Sequence, residues 1–378
     1  MAADVGAGLT MEWAHRTPVN RRVSADARAS TAFASMDEML EPDVLASILG
    51  RPVESVRRQA RAVHDSTTDA TFESIYLDGE ARPSLISKTV DRDRDWVAIA
   101  THDRVDREVR TWESGILARL RGSAAHAVVA GARTDSGYSV LMHDLTDRLL
   151  PNEPGRNVPD RQQEHVVDGL ASVHATFWMD HTLTDPTLGL ATLSSFVSHL
   201  APRTIDRVRI RMGRARITDW LEEGWDKLPS LADPRLAEDL LAIAEDPSLV
   251  AEAMSHLPWT LVHSDPRPGN LALDPDTGAV YLLDWARPAL APPALDLAYW
   301  LFTANESSRA PREDLVRSYA AALERRLGSR FASSWWEPQL DLCLVAFVAC
   351  FVPIIANINP DGVGGWAERC RPGMRALR

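Results

Sequence analysis

Val262-His263-Ser264-Asp265-Pro266-Arg267-Pro268-Gly269-Asn270 runs into Leu271-Ala272-Leu273, an Asp274-Pro275-Asp276-Thr277-Gly278 turn, and Val280-Tyr281-Leu282-Leu283-Asp284-Trp285. The apolar stretches flanking the turn predict two short antiparallel strands, because Pro275 and Gly278 punctuate them and turn formers lie between. A hairpin folds its ends together. Asn270 at its start and Asp284 at its finish should therefore stand side by side although the chain separates them. Asp265 lies just upstream, on a loop stiffened by Pro266 and Pro268.

That arrangement suits phosphoryl transfer. A magnesium ion wants hard oxygen ligands and takes one or two carboxylates plus substrate phosphates, so Asn270 and Asp284 would supply the protein oxygens. Asp265, set back on the loop, would accept the proton of an incoming hydroxyl as its oxygen attacks the γ-phosphate of ATP. A pair of hydrolase metal ligands at His263 and Asp265, or an ordinary turn-rich loop, would explain neither the hairpin nor Asp284.

At His263, Asp265, Asn270 and Asp284 the sequence resembles the aminoglycoside phosphotransferase and choline kinase-like (ecdysteroid kinase-like) families, small-molecule relatives of the protein kinases. Their H-G-D-x-x-x-x-N loop is followed by a metal-binding aspartate. The resemblance implies a catalytic base at Asp265, metal ligands at Asn270 and Asp284, and a scaffolding role for His263. Ser264 stands where those families usually carry glycine, which bears on the backbone angles of the loop.

The chain has 378 residues, 45% hydrophobic and 25% charged, as in a globular protein large enough for two lobes. A net charge of −12 argues against a general nucleic-acid binder. Cys343, Cys350 and Cys370 are odd in number and lack metal-binding spacing, which fits a reducing compartment, and a cytoplasmic location is expected. Leu342 to Ile355 is shorter than a membrane span, contains Pro353 and predicts a buried helix, so no membrane partner is expected.

Residues 1–35 show no sustained period and are expected to form a mobile or loosely docked arm. Glu41 to Leu49 predicts a short helix stopped at Gly50. Strands are expected over Val53 to Val63, Phe72 to Leu77 and Ser84 to Val90. Lys88 on the third strand is the candidate phosphate-binding lysine, by analogy with the V-A-I-K strand of kinases. The loop before the second strand has no G-x-G-x-x-G, but Ser66 and Thr67 offer hydroxyls and backbone N–H groups to a nucleotide. The apolar stripe of Val109, Trp112, Ile116 and Leu120 predicts a helix over Arg107 to Leu120. Glu108 on that helix is the candidate partner of Lys88, with Glu113 as a rival. Tyr138 to Met142 predicts the strand leading to the lobe linker, where a nucleotide base binds, ATP being expected and GTP the alternative.

Beyond the linker, Gln162 to Trp178 predicts a long helix resembling the family's central one, with His174 structural. Arg203, Arg207, Arg211 and Arg214 recur at helical spacing, either as a solvated face paired with acids or as a grip for an anion. Asp296, in a P-x-x-x-D-L-A pattern, is expected to anchor the catalytic region, and Trp335 and Trp336 to lie in the core. Together these readings predict an α+β, protein-kinase-like fold. Residues 36–144 would form a small mixed-sheet lobe and residues 145–378 a mainly helical one. The expected activity is ATP- and magnesium-dependent phosphorylation of a hydroxylated small molecule, an antibiotic or a metabolite. A nucleotide-binding pseudokinase and a nucleotidyl transferase are the alternatives.

Overall fold

The computed structural model describes residues 31–62, 70–152, 157–306 and 311–378. Strands β1 (Val56–Arg61), β2 (Thr71–Leu77) and β3 (Leu85–Asp91) follow one another as antiparallel neighbours. After β4 (Ala124–His126) come β5 (Val128–Arg133) and β6 (Gly137–His143), and the sheet closes in the order β1-β2-β3-β6-β5. Its central strands are β3 and β6, paired from Leu85↔His143 to Asp91↔Gly137. Gly137 is required there, because a Cβ would lie 2.0 Å from the Val90 carbonyl oxygen.

Four further strands belong to the second half: β7 (Thr260–Val262), β8 (Leu271–Leu273), β9 (Val280–Leu282) and β10 (Ala289–Ala291). The anticipated hairpin is present, with β8 antiparallel to β9. On its other side β9 pairs in parallel with β4, so a strand from the first half of the chain is stitched onto the hairpin. Helices make up nearly all of the rest. The long one, Ser333–Ile358, is apolar on every side and is long and apolar enough to cross a membrane by composition alone. Its most apolar window is 78% buried inside the protein, which makes it the axis of the helical core. Gly224, on the helix Arg216–Leu231, lets that helix press onto the Pro353 carbonyl 2.0 Å from where a Cβ would stand. Trp336 stacks on Tyr319 in the core as expected, whereas Trp335, half-buried, tilts against Trp178 at the core's edge.

Two expectations are corrected, a mixed sheet and a long helix. Every pairing within β1-β2-β3-β6-β5 is antiparallel, because β1-β2-β3 and β5-β6 each turn straight back and β6 runs against β3. The helix expected over Arg107 to Leu120 ends at Glu113, because Gly115 adopts φ 75° and the stripe resumes only as a single 3₁₀ turn at Leu117–Arg119. Of the N-terminal arm, the described end is docked: the Ala32 N–H donates to Glu113 at 3.2 Å, and Phe33 bridges to Ala132 of β5. Residues 1–30 lie outside the described residues.

Candidate active site

Lys88 sits at the middle of β3, buried, with its ammonium between two carboxylates: Glu108 Oε2 at 2.8 Å and Asp284 Oδ1 at 2.7 Å. Glu108 comes from the first turn of the Arg107–Glu113 helix, and it is held from two further directions. Tyr138 O–H donates to it at 3.2 Å and the Trp285 N–H at 3.2 Å. Glu113 is elsewhere, paired with Arg133 and Arg110 and capping Ala32. Burial alone would lower the Lys88 pKa, but the two carboxylates hold it above its ordinary value. Burial also works against ionised Asp284, yet the Lys88 ammonium outweighs it and keeps that carboxyl down at about 2. Glu108, fully buried, takes the opposite shift: desolvation pushes it up and the Asp284 charge adds to the push. One cation therefore faces two carboxylates, and a second positive charge would be welcome.

The hairpin register brings Asn270 to this cluster. Leu283 N–H donates to the Asn270 carbonyl at 2.9 Å, which puts Asp284 one residue past the start of the paired strands. The Asn270 amide nitrogen donates to Asp265 Oδ2 at 3.0 Å and to the Asp265 carbonyl at 3.1 Å. Its side-chain oxygen is thereby left as the acceptor end of the group. Asp284 has φ 59°, and its side chain stays 29% exposed, so an ionised oxygen faces the cleft rather than the core.

Asp265 is clamped. Its Oδ1 accepts from Tyr299 O–H at 2.5 Å and from Arg287 Nη2 at 2.9 Å, with Arg267 Nε 3.9 Å away. The loop is pinned from behind by Asp296, whose two oxygens accept from His263 N–H (2.7 Å) and Ser264 N–H (2.8 Å). His174 touches Asp296 at 3.2 Å and Tyr319 at 2.6 Å, and the His263 ring contacts the Leu283 carbonyl at 2.8 Å. His263, His174 and Asp296 thus lie in the buried support of the loop, behind the cleft.

Ser264 adopts φ 67°, the left-handed region that a side chain resists, and its hydroxyl is buried without a partner among the described residues. Both burdens disappear in Ser264→Gly. The variant is expected to gain about 1 kcal/mol after the added chain entropy of glycine is subtracted. Urea unfolding midpoints check this, and an unchanged or lowered midpoint would refute it.

Arg287 and Tyr299 were not legible as site residues. Arg287 is backed by neutral His199, whose Nε2 accepts from Arg287 Nη1 at 2.7 Å while Nδ1 donates to the Phe196 carbonyl at 2.6 Å. Burial, with the Arg287 cation beside it, drives the His199 pKa down to about 3. The unfolded chain therefore takes up this proton first, near its ordinary value. Stability is complete above about pH 6.5 and falls by roughly 1 kcal/mol per pH unit as the medium is acidified toward the folded value. His126, held at about 4 chiefly by burial, acts in the same direction. Urea unfolding at about pH 7 and about pH 5.5 should show this loss, and His199→Gln should diminish it; an identical loss in the variant would remove His199 as its source.

Met142 lies on β6 in a buried apolar cluster with Val90, Val140, Leu145, Ala272 and Tyr281, where the five-stranded sheet meets the hairpin. Ser66 and Thr67 fall outside the described residues.

A two-lobed fold with a lysine–glutamate pair, a hairpin aspartate and a clamped loop aspartate is the frame in which the comparisons with known proteins fall. The family described as "Phosphotransferase enzyme family" matches residues 91–328, well over half of the chain, and the chain belongs to it. The resemblance read at His263, Asp265, Asn270 and Asp284 is thus met at family level. A segment of 149 residues is 32% identical to Protein cueball of Drosophila grimshawi, covering 35% of this chain. The chain spans 25% of the length of that curated relative. Among solved structures, it is similar to an aminoglycoside phosphotransferase from Streptomyces rimosus in complex with ADP and streptomycin. That likeness is 18% identical, covers 76% of this chain and 92% of the other, and has a TM-score of 0.44. It is also similar to a choline kinase from Cryptosporidium parvum, 11% identical over 85% of this chain and 88% of the other, with a TM-score of 0.45.

Proposed function

We propose that this phosphotransferase is a kinase for small molecules, moving the γ-phosphate of ATP to a hydroxyl with Asp265 as catalytic base and magnesium held by Asn270 and Asp284. The observation that supports this reading is that two hydrogen-bonded groups, Lys88 with Glu108 and Asp284, and Asn270 with Asp265, are joined through the Leu283–Asn270 backbone bond of the hairpin, from four separate segments of the chain. The donor set fits a hard cation: an amide oxygen freed by the turn of its nitrogen toward Asp265, and a carboxylate kept ionised by Lys88. Magnesium, when bound, would neutralise phosphate charge there.

The chain's own residues would divide the remaining work. Lys88, oriented by Glu108, meets the phosphates. Asp265, fixed by Tyr299, Arg287 and Asn270, orients the acceptor hydroxyl and takes its proton as the oxygen attacks. The apolar cluster around Met142, at the junction between residues 36–144 and residues 145–378, would take the purine of ATP, or of GTP.

The test is a mass-spectrometric screen of hydroxylated metabolites and antibiotics with magnesium and ATP, GTP being run in parallel. A product heavier by one phosphoryl group, with ADP released, is the expected result. Pyrophosphate in place of ADP would point to nucleotidyl transfer, and tight nucleotide binding with no turnover would point to a pseudokinase.

A further inference from the structure

The arginine run on the helix Pro202–Met212 does not behave as one stripe. Arg209 is neutralised by Asp219 at 2.9 Å and Glu222 at 2.7 Å, and Arg214 by Asp219 at 3.0 Å. Arg203 has Glu245 at 3.6 Å. Arg207 and Arg211, one turn apart, look the other way. Arg207 Nη2 donates to the Ala100 carbonyl at 3.0 Å, which sets this face against the end of the short helix Trp96–Ala100 and the residues that follow it. Those residues include His102 and Arg104.

No acid answers this second group. Among the described residues neither Arg104 nor Arg211 makes an ion pair with a carboxylate, and Arg207 contacts only the Ala100 carbonyl and the Thr204 hydroxyl. Arg211 stands one helical turn beyond Arg207, and Arg104 four residues beyond Ala100, whose carbonyl Arg207 touches; the lowering of the His102 pKa by burial and then by Arg207, Arg104 and Arg211 agrees with this grouping. Arg207 is itself pushed down by burial and by Arg203 and Arg211. In a chain of net charge −12, three uncompensated cations at one point form a local positive maximum.

The position gives that maximum a meaning. Arg104 belongs to the segment joining β3 to the Arg107–Glu113 helix, whereas Arg207 and Arg211 belong to the helical half. The Trp96–Ala100 helix, whose Trp96, Ile99 and Ala100 lie in the buried core of the helical half, leads from the candidate site to this group: its N-cap Asp95 feels the charges of Lys88 and Asp284, and about 8 Å further on its last carbonyl meets Arg207. The like charges on the two segments repel, and an anion between them would offset that repulsion.

We propose that Arg104, Arg207 and Arg211 form a binding site for a small multivalent anion, bearing phosphate or carboxylate groups, that bridges the segment after the Trp96–Ala100 helix and the helix Pro202–Met212. The same chemistry has two sources, an acid group on the acceptor or a free anion acting as an effector. Sulfate is the probe, titrated into the full chain with ionic strength held constant by chloride. A saturable rise in melting temperature of about 2 °C is expected. Arg104→Ser/Arg211→Ser should lose the rise while melting in chloride within about 1 °C of the parent, both positions being exposed. No saturable rise in the parent, or an equal rise in both proteins, would overturn the site.

This reading needs no turnover, so failure of the kinase assignment and failure of the anion site are told apart. With an acceptor in hand, sulfate that raises the acceptor KM at constant kcat identifies the acceptor's own acid group as the natural occupant. Sulfate that changes kcat without competing identifies a free effector. Binding that alters neither constant would overturn the bridging role.

Discussion

Asp265→Asn is expected to lower kcat by about 10²–10⁴-fold while nucleotide affinity stays within about twofold. The two measurements separate because Asp265 stands apart from the Lys88–Asp284 pair. Its neighbours are Tyr299, Arg287 and Asn270, on the acceptor side of the hairpin. Asparagine keeps the shape but replaces an acceptor oxygen with an N–H₂ that must face donors from Arg287, Tyr299 or Asn270, so the clamp loosens as the base is lost. Asp265→Ala should lose a similar amount of turnover and also about 3 kcal/mol of stability, because the buried Arg287 cation is left without its carboxylate. ADP release and calorimetry with nucleotide read the two halves. Undiminished kcat in both variants would remove Asp265 from the chemistry.

What the sequence made legible follows physical locality. The hairpin could be read because its turn, its two apolar stretches and its polar corners lie within 24 consecutive residues, and antiparallel pairing fixes who faces whom. Lys88 and Glu108 could be paired in advance only through the resemblance to the kinase lysine–glutamate pair, because the helix Trp96–Ala100 lies between their elements. Arg287 and Tyr299 could not. They reach Asp265 from 22 and 34 residues away, through a turn and a buried helix that leave no periodic mark, and a lone arginine after Asp284-Trp285-Ala286 looks like any loop cation. Strands β4 and β5 were not legible because Ala124–Arg133 is rich in alanine, which has weak strand preference, and β4 is held in place by partners 156 residues away. The helix over Arg107 to Leu120 was overextended because an apolar stripe at helical spacing continues across Gly115, which turns the backbone to the left-handed side.

Lys88→Met should be the most damaging single change to both stability and turnover. In the parent, one ammonium sits within 2.8 Å of two carboxylates, one of them with no exposed surface. Removing it leaves Glu108 and Asp284 facing each other without a cation. The cost should be about 3–5 kcal/mol, of the size seen when one partner of a buried pair is deleted. Turnover should fall by at least about 10²-fold, as when a preorganised charge aimed at the transferring group is removed. Two causes are mixed in that result, and a second substitution parts them. Glu108→Gln in the Lys88→Met background removes the stranded charge, and its amide oxygen can still accept from the Trp285 N–H while its N–H₂ donates to the Tyr138 hydroxyl oxygen. Stability should return by about 2 kcal/mol, a coupling expected of groups in direct contact, whereas turnover should not return, because the lysine proposed to meet the phosphates is still missing. If turnover recovered along with stability, Lys88 would be only a brace for Glu108. If Lys88→Met melted like the parent, the two carboxylates would have to be sharing a proton, and the case for a divalent cation beside Asp284 would lose its electrostatic basis.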